Sequence, residues 1–152
     1  MAFTGSSICT SFYTNALNGL FNFGTNVFKL ALYTNSASFT AATTAYTTAN
    51  ELATALGYTA GGATVAATVT TTTTASGAPC VVVDFADATW PAATFTARGG
   101  ILYSDTAVGD LAIAILDFGA NKTGSGGTFT VVMPSPTPNT ALLTLQTILQ
   151  AV

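Results

Sequence analysis

The 152 residues contain no histidine and only nine charged side chains: Lys29, Glu51, Asp84, Asp87, Arg98, Asp105, Asp110, Asp117 and Lys122. The first absence removes every mechanism built on an imidazole base or ligand. Three cations against six carboxylates exclude the basic stripe that binds nucleic acid through its phosphates. Long hydrophobic runs are missing too. The longest, Leu111 to Leu116, falls far short of the roughly 18 residues or more that a membrane-spanning helix needs. The start, Met1-Ala-Phe-Thr-Gly5, has neither a basic n-region nor a long apolar h-region, so no secretory signal is expected. The two cysteines, Cys9 and Cys80, are expected to be packed thiols in a chain assembled in a reducing cytoplasm.

Threonine fills the space that charge leaves. It supplies 30 of the residues while charged residues are 6%, against a usual quarter. A β-branched side chain with one hydroxyl suits strands and wets their surface without charge repulsion. Such a surface also meets another protein without ions to desolvate. The expectation is a domain partly buried in a larger assembly rather than a free monomer.

Residues 1–152 are read as a single β-rich domain. Phe12, Ala16, Leu17 and Leu20 follow helical spacing, predicting a short N-terminal helix capped by Thr10 or Ser11 and stopped by Gly24. Val27 to Thr34 alternates as a half-buried strand, with Phe28, Leu30 and Leu32 inward and Lys29 and Tyr33 outward. Glu51 to Leu56 reads as a second short helix between Asn50 and Gly57. Strands follow at Ala63 to about Thr72, Cys80 to Phe85 with Val81, Val83 and Phe85 on one face, and Thr94 to Tyr103 with a bulge at Gly99-Gly100. Leu111 to Phe118 is apolar on both faces and belongs mid-sheet. The segment Gly119 to Gly127 reads as a loop, Thr128 to Met133 as a strand stopped by Pro134, Pro136 and Pro138. The last strand begins near Ala141 and places Leu143, Leu145 and Thr147 on one face. The predicted fold class is mainly β: an antiparallel β-sandwich or jelly-roll-like double sheet with a short N-terminal helix.

Places for chemistry are few. Asp84 and Asp87 are the sole tight carboxylate pair; they are a candidate for cation binding through loop oxygens, with capping of turn amides as the preferred reading. Gly124-Ser-Gly-Gly127 leads into a strand, whereas a phosphate cradle opens a helix, so a hairpin loop is expected. Asn121-Lys-Thr123 matches a glycosylation sequon without a secretory signal beside it. Cys9 lacks a basic neighbour that would activate a thiolate. No catalytic, cofactor-binding or metal-binding residue is therefore predicted, no cofactor is expected, and the chain is expected not to be an enzyme.

The phrases Cys9-Thr-Ser-Phe12, Phe28-Lys-Leu-Ala-Leu-Tyr-Thr-Asn35, Ala45-Tyr-Thr-Thr-Ala-Asn-Glu51, Gly57-Tyr-Thr-Ala-Gly-Gly62, Asp84-Phe-Ala-Asp-Ala-Thr-Trp90, Ala93-Thr-Phe-Thr-Ala-Arg-Gly99 and Leu116-Asp-Phe-Gly119 occur in that order. Together with the opening Met1-Ala-Phe-Thr-Gly5 they resemble a family of small virion structural proteins of tailed bacteriophages, over nearly the whole chain. The resemblance implies a particle component localised to the virion and assembled in the host bacterial cytoplasm. Its partners would be other virion proteins, either the major capsid protein or tail proteins. A capsid decoration or cement protein is the narrower expectation, in a homo-oligomer taken to be a trimer on a quasi-symmetric shell. A tail, tail-tip or fibre component is the alternative, and a host-surface glycan-binding module using Tyr46, Tyr58 and Trp90 is a third. The chain departs from the family pattern in its uncharged segment Tyr13 to Phe23 and in its extension past Leu145. Both departures favour a helix and a C-terminus packed against neighbours. The tightest block, Asp84 to Gly99, is expected to be the structural centre, with Trp90 in the core and Arg98 paired to a carboxylate or carbonyl.

Overall fold

Three segments rich in β-branched, leucine or aromatic residues set the centre of the molecule. In the computed structural model, which describes residues 3–146, ten strands and one helix follow in the order β1 (Ser7–Ile8), α1 (Thr10–Leu17), β2 (Phe28–Tyr33), β3 (Ala63–Val65), β4 (Ala67–Thr73), β5 (Pro79–Phe85), β6 (Ala88–Ala93), β7 (Thr96–Ser104), β8 (Ala112–Thr123), β9 (Gly127–Val131) and β10 (Leu143–Gln146). Strand accounts for 47% and helix for 6%, so the chain is mainly β, in a sandwich-like arrangement. Every pairing between these strands is antiparallel. The orders are β1-β8-β7-β2-β3 in a five-stranded sheet, β10-β5-β4 in a three-stranded sheet and β6-β9 in a two-stranded ribbon.

Aromatic rings join these sheets. Phe28 of β2 meets Phe85 of β5 edge to face at 5.5 Å between centroids, and Phe23 stacks on Phe28 while Phe12 of α1 packs on Phe21. Trp90 of β6 lies among Tyr58, Phe95 and Phe129. Burying each ring contributes roughly 2–3 kcal/mol, and favourable ring geometry adds about 1 kcal/mol per pair. Trp90 is 4% exposed, and Phe85 and Phe95 are also buried, as expected for that block. The innermost layer lies one strand further on. Leu30, Leu32, Tyr33, Ile101, Leu102, Ile113 and Ile115, from β2, β7 and β8, are among the most deeply buried.

Several expectations are corrected by long-range contacts. β2 is buried on both faces rather than one, because Phe39 packs edge to face on Tyr33 and the Tyr33 hydroxyl donates to the Thr47 carbonyl. α1 starts after Cys9 with no side-chain cap, and it ends at Leu17, with Asn18 as its cap. Gly19, at φ +76°, supplies the left-handed stop five positions before Gly24. The helix expected at Glu51 to Leu56 does not form: Glu51 bridges Tyr33 and the Leu52 amide donates to the Leu32 carbonyl. The segment read as one strand from Ala63 to Thr72 changes sheet at Ala66, giving β3 and β4. Residues 119–123 belong to β8 rather than to a loop: Lys122 and Thr123 pair with Ala97 and Thr96 of β7, and residues 118–121 lie in the register shift before them. β6 was not anticipated, because Pro91 argues against a strand. Pro91 is accommodated where the register to β9 shifts between Trp90 and Ala93. The irregularities in β7 fall at Arg98, between Ala97 and Gly99, and between Leu102 and Tyr103, rather than at Gly99-Gly100. The predicted inward position of Thr147 and the chain after Gln146 lie outside the described residues.

Gly62 enters β3 at φ +83°, where a side-chain Cβ would collide with the Leu30 carbonyl. Both the left-handed backbone and the close approach require glycine there.

Candidate functional site: an uncharged apolar face

The polar clusters are internal and structural. Glu51, the single glutamate of the chain, accepts hydrogen bonds from the Tyr46 hydroxyl (2.5 Å) and, on its other oxygen, from the Tyr58 hydroxyl and the Gly61 amide (both 2.6 Å). Tyr58 in turn accepts from the Leu32 amide, and Tyr103 donates to the Gly61 carbonyl while stacking on Tyr46. Burial, then the hydrogen bond to Glu51, pushes the Tyr58 and Tyr46 phenols well above their ordinary range. Burial, reinforced by nearby carboxylates, does the same for Tyr33 and Tyr103. All four therefore remain protonated donors. The cluster fastens the connection between β2 and β3 onto the five-stranded sheet. Its sequence signal was available, since the sole glutamate lies between Tyr46 and Tyr58, but propensity assigned Glu51 to a helix instead.

The other singled-out residues are engaged as well. Arg98 forms an ion pair with Asp117 and lies over the Phe3 ring. Asp117 also accepts from the Gly119 and Gly5 amides. The Gly119 amide first, and the Arg98 guanidinium beside it, hold its carboxyl below the ordinary range. The Asp87 carboxylate accepts from the distant Met133 amide at 2.8 Å rather than from an amide of its own turn, while Asp84 sits on β5 opposite Thr68. Among the described residues no three His, Cys, Asp or Glu side chains converge to hold a metal. In the glycine loop the Gly124 and Gly126 amides donate to the Phe95 and Ala93 carbonyls, so they are turned inward. Cys9 and Cys80 are free and buried, and burial pushes the Cys9 thiol up to about 11, far from thiolate formation at neutral pH. Tyr58 and Trp90 are core residues and Tyr46 is half-buried, so the three do not form the exposed platform that a glycan would stack on.

One solvent-facing patch is apolar. On β5, Val81, Val83 and Phe85 share a face, as read from their alternation. Register places Leu145 of β10 beside Val81, Leu143 beside Val83, and Val69 of β4 on the other side of Val83. α1 lies across this floor, and a groove of about 260 Å³ runs between them, walled by Phe12, Tyr13, Leu17 and Phe23. Its rim is exposed: Leu17 is 88% accessible, and Tyr13, Val69 and Leu145 are each more than half accessible. The predicted helix face is thus only partly inward, with Phe12 buried and Leu17 and Leu20 outside. None of the nine charges lies on α1, β4 or β10. Apolar clusters of this kind mark interaction surfaces in soluble proteins.

No family model, curated protein or solved structure matches the chain. No helix among the described residues is long and apolar enough to cross a membrane.

Proposed function

We propose that the protein is a non-catalytic structural component of a tailed-bacteriophage virion, a capsid decoration or cement protein that works by docking its uncharged face on neighbouring virion proteins. The observation that carries this reading is the exposed apolar rim of Leu17, Tyr13, Val69 and Leu145 on a face without a charged residue of α1, β4 or β10. Contact with another protein removes these side chains from water at roughly 25 cal/mol per Å² of apolar surface, with no ion to desolvate. The ordered phrases from Cys9 to Gly119 support the assignment to the particle. The closed polar clusters support a role without chemistry, because their donors and acceptors are already spent on the fold.

Purified protein is mixed with phage heads lacking it and, separately, with tails lacking it, and each mixture is pelleted. Binding to heads is expected, and Leu17→Asp is expected to lose it with an unchanged melting temperature. Binding to tails alone moves the protein to the tail. Binding to neither overturns the virion reading.

A further inference from the structure

The three-stranded sheet ends on β4, which bonds to β5 along one side and, among the described residues, to no strand along the other. An open edge presents a row of unpaired amide and carbonyl groups, and proteins that stay monomeric shorten, bend or charge such edges. Among the other edges, β1, β3 and β6 are treated in that way, and β9 and β10 are shorter than β4, at 5 and 4 residues. β1 has 2 residues and β3 has 3, and β6 carries Pro91 and a register shift. β4 has none of these devices. It runs for 7 residues, Ala-Thr-Val-Thr-Thr-Thr-Thr, with no proline, glycine or charge and no buried side chain.

We infer that β4 pairs antiparallel with β4 of a second copy of this chain about a two-fold axis through Thr70, giving one continuous six-stranded sheet. This rests on the reading of the uncharged face as an assembly surface and names its partner. Thr70 is the midpoint, so this register pairs all seven residues: Thr70 with itself, Val69 with Thr71, Thr68 with Thr72 and Ala67 with Thr73. A two-fold axis normal to the sheet keeps like faces on one side, so Val69, Val81 and Leu145 of both copies form one apolar floor. Charge selects this face for self-association. The chain carries a net charge of −3, so two copies repel unless they meet where charge is missing. α1, β4 and β10 have no charged residue, and alternation along β5 puts Asp84 on the face opposite Val83. Cross-strand threonine pairs are also favourable neighbours. The pairing is isologous and closes at two copies, in place of the trimer expected from shell symmetry.

Sedimentation equilibrium of the full chain over a range of concentrations tests the pairing. The expected mass is twice the 15.3 kDa of one chain, and it should return to one chain in Thr70→Lys, which sets two lysines face to face. Circular dichroism and the melting temperature report that the variant is folded. Thr70→Cys supplies a second readout. Paired residues across antiparallel strands lie about 4.5–5.5 Å apart at Cα, within the range a disulfide spans, and Cys9 and Cys80 are buried. Mild oxidation should therefore yield a covalent dimer of the native protein. A wild-type monomer or trimer, a dimer that persists in folded Thr70→Lys, or the absence of cross-linking in Thr70→Cys overturns the inference. Head and tail binding is scored separately. A dimer that binds neither leaves the pairing standing and overturns the virion reading, whereas a monomer that binds heads overturns the pairing alone.

Discussion

β7 and β4 are both antiparallel strands made without a long hydrophobic run, yet they end in opposite environments. β7 lies between β2 and β8 and exposes one residue of its 9, Thr96. β4 has a neighbour on one side only, among the described residues, and buries none of its 7. The difference divides the labour of the fold. In the five-stranded sheet β2, β7 and the first half of β8 have strands on both sides and mostly buried side chains, so stability is concentrated there. In the three-stranded sheet the same backbone geometry leaves donors, acceptors and apolar side chains available to another protein. A surface that holds an assembly together must contribute little to the free chain, or it would already be covered.

Three substitutions test that division, from the largest effect to the smallest. Trp90→Ala removes a ring enclosed by Tyr58, Phe95 and Phe129 and should cost about 3–5 kcal/mol once the cavity is counted. That is a large share of a typical stability of about 5–15 kcal/mol. Native tryptophan emission should be blue-shifted and move red on unfolding, and the denaturant midpoint of the variant should fall sharply. A red, freely quenched native emission with an unchanged midpoint would place Trp90 on the surface and return the glycan reading.

Glu51→Ala strips three donors of their acceptor and should cost about 2–3 kcal/mol, since hydrogen bonds to a charged group are the strong ones and their partners are left buried. The same cluster sets the alkaline limit. The fold holds the phenols of Tyr33, Tyr46, Tyr58 and Tyr103 neutral. Their contribution is complete below the unfolded-state phenol value of about 10. It is lost as pH rises past that, because the unfolded chain releases protons that the folded chain keeps. Phenolate absorbance from these four should appear together with the loss of circular dichroism. Gradual ionisation of all four ahead of unfolding would show that the cluster is open to solvent.

Leu17→Ser, on the 88% exposed rim, should change the stability of the free protein by no more than about 0.5 kcal/mol. A loss on the scale of Trp90→Ala would mean that the rim belongs to the core, and the comparison between the two sheets would fail.

Much of this was legible in local pattern. The alternation of Val81, Val83 and Phe85 identified a strand with one shared face, and the apolar run at Leu111 identified a strand inside a sheet, because side-chain direction along a strand is a property of that strand alone. The aromatic density between Asp84 and Gly99 similarly marked Trp90 as core. Glu51 misled because propensity weighs a residue against its immediate neighbours. Its three hydrogen bonds come from Tyr46, Tyr58 and Gly61, which is a matter of loop path. Ala66 misled because nothing in a run of strand-forming residues says where the chain leaves one sheet for another.

By itself, then, the sequence determined that the chain is mainly β, that its surface is wetted by threonine rather than charge, and that imidazole chemistry is excluded. Those follow from side-chain type and spacing alone. Tertiary structure decided which threonine strand is left at an edge, which apolar residues of α1 face outward, and that Tyr58 and Trp90 are interior while Leu17 is not. These depend on which strands run side by side, and pairing partners far apart in the chain leave no periodicity in either partner. β4 became an open edge through its place in the order β10-β5-β4, because one side of a strand is satisfied only when a second strand arrives there.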